Sequence, residues 1–120
     1  MYTYRVMGVA NVVDGDTVDA IISLGFGLTA TMRFRVPGID TPELFGPNAT
    51  DRGRQARDFT INWFNTNHNV VVRTFKGAHS TVGLGDGAFG RWLGDFYDTD
   101  SGEHLSAALY GAGLDKRHDP

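Results

Sequence analysis

Arg52-Gly53-Arg54-Gln55-Ala56-Arg57-Asp58-Phe59-Thr60-Ile61-Asn62-Trp63-Phe64-Asn65-Thr66 is where the hydrophobic period of the chain first changes. Ala56, Phe59, Trp63 and Phe64 recur at i, i+3, i+7 and i+8, one face of a helix, while Arg54, Arg57, Asp58 and Asn62 occupy the other. Asn65 to Asn69 is a polar stop. The spacing predicts a helix over 52–66.

Everything before it reads as strand. Thr3 to Val13 is rich in Tyr, Val and Met and meets Asp14-Gly15-Asp16, a turn signal between apolar runs. Thr17 to Leu24 alternates until the glycines at 25 and 27, and Leu28 to Val36 alternates again until Pro37-Gly38 bends the chain. After the helix, Val70 to Phe75 is a β-branched fourth strand and Phe89 to Tyr97 a fifth, separated by a glycine-rich loop. Glu103 to Ala112 reads as a short helix, and the polar tail 115–120 is expected to fray. Three meander strands, a helix and two further strands are the order of a five-stranded OB-type barrel, α+β in class, with its helix between strands three and four. An open α+β sheet is the other arrangement these elements allow.

At 120 residues and 41% hydrophobic, one domain spanning the whole chain has a core large enough to fold without staples. With no cysteine, any metal falls to oxygen or histidine ligands. A net charge of −3 argues against a generically basic nucleic-acid coat. Between Ala30 and Arg57, however, Arg33, Arg35, Arg52, Arg54 and Arg57 outnumber Asp40, Glu43 and Asp51, so the local field is positive. No apolar run approaches the roughly 18 residues of a membrane span. No apolar signal core opens the sequence, and a cytoplasmic protein without membrane contact is expected.

The chemistry gathers in two turns. Asp14-Gly15-Asp16-Thr17 alone is an ordinary hairpin turn. Asp40, Thr41 and Glu43 follow a strand that should neighbour that hairpin, so Asp16 and Asp40 can approach one another. Carboxylates held close repel unless a cation lies between them, and calcium prefers oxygen donors of this kind, the Thr41 carbonyl included.

Val13-Asp14-Gly15-Asp16-Thr17-Val18 and Phe34-Arg35-Val36-Pro37-Gly38-Ile39-Asp40-Thr41-Pro42-Glu43 together resemble the signature of the staphylococcal nuclease (thermonuclease) family. Phe89-Gly90-Arg91-Trp92-Leu93 resembles that family's arginine-bearing segment, and order and spacing agree across nearly the whole chain. The resemblance implies an OB-fold and a calcium-dependent phosphodiesterase acting on DNA and RNA, with 3′-phosphate products. Asp16 and Asp40 would be calcium carboxylates and Thr41 would add its carbonyl. Glu43 would align or deprotonate the attacking water, and Arg35 and Arg91 would bind the scissile phosphate. Arginine suits that task because its planar fork donates two hydrogen bonds to one phosphate. A nuclease-like domain that holds single strands or a protein partner without cutting is the alternative; retention of every acidic and arginine position favours catalysis.

The sequence departs from the family in two places. Ala88-Phe89 stands where the family carries polar phosphate-binding residues. The family also continues past the second helix through tyrosines that flank the nucleotide, where this sequence has His118 and Asp119. Other signals carry less. Gly85-Asp86-Gly87-Ala88-Phe89-Gly90 matches a dinucleotide-binding pattern but leads into a strand. The four histidines show no ligand spacing and read as solvated or capping residues. Phe59 and Trp63 read as core, and Arg52, Arg54 and Arg57 as a solvated helix face, with a remote phosphate contact as the alternative.

Overall fold

The computed structural model describes residues 2–47, 49–75 and 91–118, with Arg91 and His118 by backbone alone. Strands β1 (Tyr2–Asp14), β2 (Thr17–Gly25), β3 (Leu28–Arg35), β4 (Val70–Phe75) and β5 (Arg91–Asp98) close into a barrel in the order β1-β2-β3-β5-β4. Helix α1 (Asp51–Thr66) lies between β3 and β4 in the chain and α2 (Leu105–Gly111) follows β5. The molecule is α+β and consistent with an OB-like barrel; the open sheet is excluded. The expected start of the fifth strand at Phe89, and the glycine pattern from Gly85 to Gly90, lie outside the described residues.

Closure depends on β1. Its first residues, Tyr2 to Arg5, pair with β4, whereas Val6 to Asp14 pair with β2. Three register shifts, at Val6/Gly8, Val9/Asn11 and Val12/Asp14, lie along the β2-paired part. Each bulge adds bend and right-handed twist, which lets one strand serve two neighbours around a tight barrel. β3 and β5 pair in parallel, placing Arg33 beside Arg91 and Arg35 beside Leu93.

Inside, Phe34 and Phe96 meet edge to face at 5.6 Å, and Phe64 contacts Phe96 in the same manner at 5.2 Å. A Cβ on Gly94 would stand 2.6 Å from the Phe34 ring, so only glycine lets β5 cross beside that ring. The helical face expected of α1 is confirmed at Ala56 and Trp63, which are buried, with Phe59 and Phe64 packed against the core. Gly53 and Thr60 share the buried face, which their polarity and size conceal in the sequence. Among the described residues no helix is long and apolar enough to cross a membrane.

The chain end corrects one expectation. Instead of fraying from 115, it returns to the barrel. Gly113 adopts φ 76°, Leu114 N–H donates to Leu109 O and Gly113 N–H to Tyr110 O, both at 3.0 Å. This is a Schellman stop, in which a left-handed glycine reverses the chain and buries the apolar residue after it. Leu114 and Asp115 are buried, and Lys116–His118 forms one turn of 3₁₀ helix. Polarity suggests fraying, but Leu114 is the anchor and Asp115, Lys116 and Arg117 have partners; residues 119 and 120 of the expected tail lie outside the described residues.

Candidate functional site

The β1–β2 turn is packed from three sides. Thr60 Oγ1 of α1 donates to Gly15 O at 2.7 Å, and Val36 N–H, at the exit of β3, donates to Asp16 O at 2.8 Å. A Cβ on Gly15 would lie 2.8 Å from Ala56 Cβ and 2.9 Å from Thr41 Cγ2, so the turn can approach the helix only as glycine. Asp16 is 6% exposed; its Oδ2 accepts from Thr41 N–H at 3.0 Å and its Oδ1 from Thr17 Oγ1 at 3.2 Å.

Asp14 and Asp16 ionise as a pair. Burial, together with the hydrogen bond and charge of Asp16, pushes Asp14 up to about 7. Burial opposes ionisation of Asp16 too, but the hydrogen bond with Asp14, the Arg35 charge and the Thr41 and Thr17 donors hold it below the usual carboxylate range. The turn therefore keeps one negative charge at mildly acidic pH and gains a second, uncomfortable one near neutrality.

Arg35 stands between the two expected metal carboxylates. Its Nη1 donates to Val36 O at 2.5 Å and Ile39 O at 2.7 Å, which fixes the guanidinium plane. Its Nη2 lies 3.4 Å from Asp16 Oδ2 and 3.5 Å from Asp40 Oδ1. Thr41 is buried, and among the described residues its Oγ1 has no hydrogen-bond partner. A cleft of about 370 Å³ opens beside these groups, lined by Arg35, Gly38, Asp40, Leu93 and Arg117 among others. A larger cavity of about 660 Å³ lies at the opposite mouth of the barrel, among Tyr2, Tyr4, Leu24, Met32 and Trp92. Among the described residues its lining has no carboxylate or guanidinium, so the smaller cleft is the one suited to phosphate chemistry.

Glu43 is placed by its backbone. Thr50 N–H donates to Glu43 O at 3.2 Å, and a Cβ on Gly53 would fall 2.0 Å from that same oxygen. The first turn of α1 is thus pressed against the Glu43 peptide, which is why glycine stands inside the helix. The Glu43 side chain is 41% exposed, and Lys116 Nζ lies 3.4 Å from its Oε1.

Asp16, Arg35, Asp40, Thr41 and Glu43 therefore assemble at one end of the barrel. Arg91 is described by its backbone, which opens β5 beside Arg33, two register positions from Arg35. Arg33 belongs elsewhere: its Nε and Nη2 form a two-point pair with Asp19 at 2.8 and 3.0 Å. The helix arginines also have protein partners. Arg57 donates to Val12 O at 2.9 Å, Arg52 to Gly113 O, and Arg54 pairs with Asp51 at 2.6 Å. His104 pairs with Asp95 at 3.0 Å and stacks on Tyr97.

Sequence reasoning missed Asp14 as a member of the site and missed Lys116 altogether. Two acids around one glycine were the signal for Asp14. For Lys116, 73 residues from Glu43, the legible hint was Leu114, an apolar residue inside a polar tail.

The donors suit a hard cation. Asp16 and Asp40 offer carboxylate oxygens to one point of positive charge, and Asp14 makes the turn over-negative above about pH 7. Among the described residues no three acidic or histidine side chains form a ready-made metal cage, so a cation held here by Asp16, Asp40 and the Thr41 carbonyl would keep water ligands. Compared with known proteins, the chain matches no family model, and no curated protein gives a significant match.

Proposed function

We propose that this chain is a calcium-dependent nuclease that hydrolyses phosphodiester bonds of DNA and RNA with little sequence specificity. Its barrel is read as an OB-fold and its site as that of the staphylococcal nuclease family, which its motifs resemble. One observation carries the reading: two carboxylates converge on a backbone-clamped arginine, with a third carboxylate on the same loop. A structural ion pair needs one acid for one arginine, whereas Arg35 has two.

Calcium, when bound by Asp16, Asp40 and the Thr41 carbonyl, supplies Lewis acidity and offsets the charge that builds on the phosphate. Arg35 meets a non-bridging oxygen with Nη2, while its bonds to Val36 O and Ile39 O hold the donor in place, so little reorganisation is needed as charge develops. Arg91 is assigned the second guanidinium contact on its place in the motif. Glu43 takes a proton from the attacking water. The new oxygen–phosphorus bond forms in line with the departing 5′ oxygen, which leaves as the alcohol after taking a proton from solvent, and the 3′ side keeps the phosphate.

Purified protein incubated with single-stranded DNA, double-stranded DNA and RNA should degrade them in calcium and leave them intact in chelator. Folded protein that retards the strands on a gel yet cuts none of them under any divalent metal overturns the enzyme reading in favour of a binding domain.

A further inference from the structure

The return of the chain end to the barrel brings a cation to the site that neither motif contains. Lys116 is held by its backbone first: its N–H donates to Asp40 O at 2.8 Å. Its ammonium then lies 3.4 Å from Glu43 Oε1 and 3.9 Å from Asp40 Oδ1. The next residue clamps the same loop, with Arg117 Nη2 donating to Gly38 O at 2.6 Å and pairing with the buried Asp115 at 2.8 Å. The Gly113 reversal fixes the approach of this turn, and so the turn touches the loop at Gly38, Asp40 and Glu43.

Resting on the nuclease reading above, we propose that Lys116 is a positioning residue, the resident counter-cation that holds the carboxylates of Glu43 and Asp40 in register for the reaction. Magnitude separates this from a structural role. Lys116, Asp40 and Glu43 keep 36%, 36% and 41% of their side-chain surface exposed. Ion pairs so exposed add little to stability. Positioning is felt more strongly, because a carboxylate must meet water in a narrow range of geometry and loses rate when free to rotate. Opposite effects on metal and on turnover follow. The ammonium repels a divalent cation arriving at Asp40, so it weakens metal binding; it also orients Glu43, so it speeds the chemical step.

The test compares wild type with Lys116→Met, which keeps the stem and removes the charge, and with Lys116→Arg, which restores it. Calcium affinity is measured by calorimetry without nucleic acid, kcat and KM on single-stranded DNA, and melting by circular dichroism. Lys116→Met should bind calcium roughly threefold to tenfold more tightly, turn over about tenfold more slowly at unchanged KM, and melt within a few degrees of wild type. Lys116→Arg should return both calcium affinity and kcat toward wild type. If wild type binds calcium and cuts while Lys116→Met matches it in affinity and kcat, the positioning role falls and the nuclease reading stands. A fall in kcat that tracks a large loss of melting temperature, without tighter calcium binding, also overturns the role. Wild type that neither binds calcium nor cuts overturns the reading of the site itself.

Discussion

Two consecutive hairpin turns of one barrel have opposite physics. The β1–β2 turn, Gly15-Asp16, is charged, buried and held by α1, the β3 exit and Thr41. The β2–β3 turn, Phe26-Gly27, is apolar, and Phe26 is fully exposed at its tip. Both use glycine, for different reasons. Gly15 has no left-handed backbone; it is glycine because a Cβ would strike Ala56 and Thr41. Gly25 and Gly27 have open space around them and are glycine because φ is 83° and 77°. A turn that must fit several neighbours at once is over-determined, and over-determination is what keeps a site in one geometry.

The largest expected contrast is in activity. Asp16→Asn should lower kcat/KM by about a thousandfold, roughly 4 kcal/mol of transition-state stabilisation. It removes charge from the donor set and from Arg35 while sparing the main-chain contacts of the turn. Substitutions at Phe26 should leave kcat/KM within about twofold. Equal losses from the two turns would mean that the first one only supports the fold.

Gly15→Ala comes next. The added methyl forces Ala56 or Thr41 to shift, an overpacking cost of about 2–3 kcal/mol, or roughly 10 °C of melting temperature at this size. Displacing Thr41 should lower calcium affinity as well. Gly27→Ala meets no neighbour and costs only the left-handed backbone, about 1 kcal/mol. Similar melting temperatures for the two variants would remove the argument from close approach.

Acid–base behaviour gives the third contrast. Asp14 has its folded pKa raised to about 7 from 3.8, so between those values the folded chain binds more protons than the unfolded one. Stability contributed by that proton is complete below about pH 4 and is lost as pH rises toward 7. Asp16, shifted the other way, contributes stability above the usual carboxylate range that is lost on acidification. In chelator, wild type should therefore lose on the order of 1–2 kcal/mol, about 5 °C, between pH 5 and 8. Asp14→Asn should flatten that decline, and calcium should offset it in wild type. A flat wild-type profile in chelator would show that the two carboxylates do not share a proton.

Much of this is legible in the sequence alone. The strands, the long helix and their order follow from periodicity, because a period of 2 or 3.6 is a local property. The cluster of Asp16, Arg35, Asp40, Thr41 and Glu43 follows from two motifs, one at the β1–β2 turn and one at the exit of β3, so its assembly needs only one long-range assumption, the pairing of β2 with β3. What was not legible depends on approach between segments far apart in the chain. Gly53 in a helix looks like a defect until the Glu43 carbonyl is found against it. Thr60 looks like a polar-face residue until its hydroxyl meets Gly15 O. Lys116 looks like tail because charge says nothing of the Schellman stop three residues before it.

The smallest effect probes the other turn. Phe26 and Gly27 both have positive φ, 58° and 77°, the backbone of a type I′ hairpin. Asparagine tolerates that conformation at the first position, whereas an L-aromatic side chain strains it by about 1 kcal/mol. The exposed ring gains nothing in return within the monomer, where it is 101% exposed. Phe26→Asn should raise stability by about 0.5–1 kcal/mol, a shift of roughly 2–4 °C, with calcium affinity unchanged. A fall in melting temperature, steeper at high protein concentration, would mean that the ring is covered by a second copy and that this turn, like the first, is shaped by what it meets.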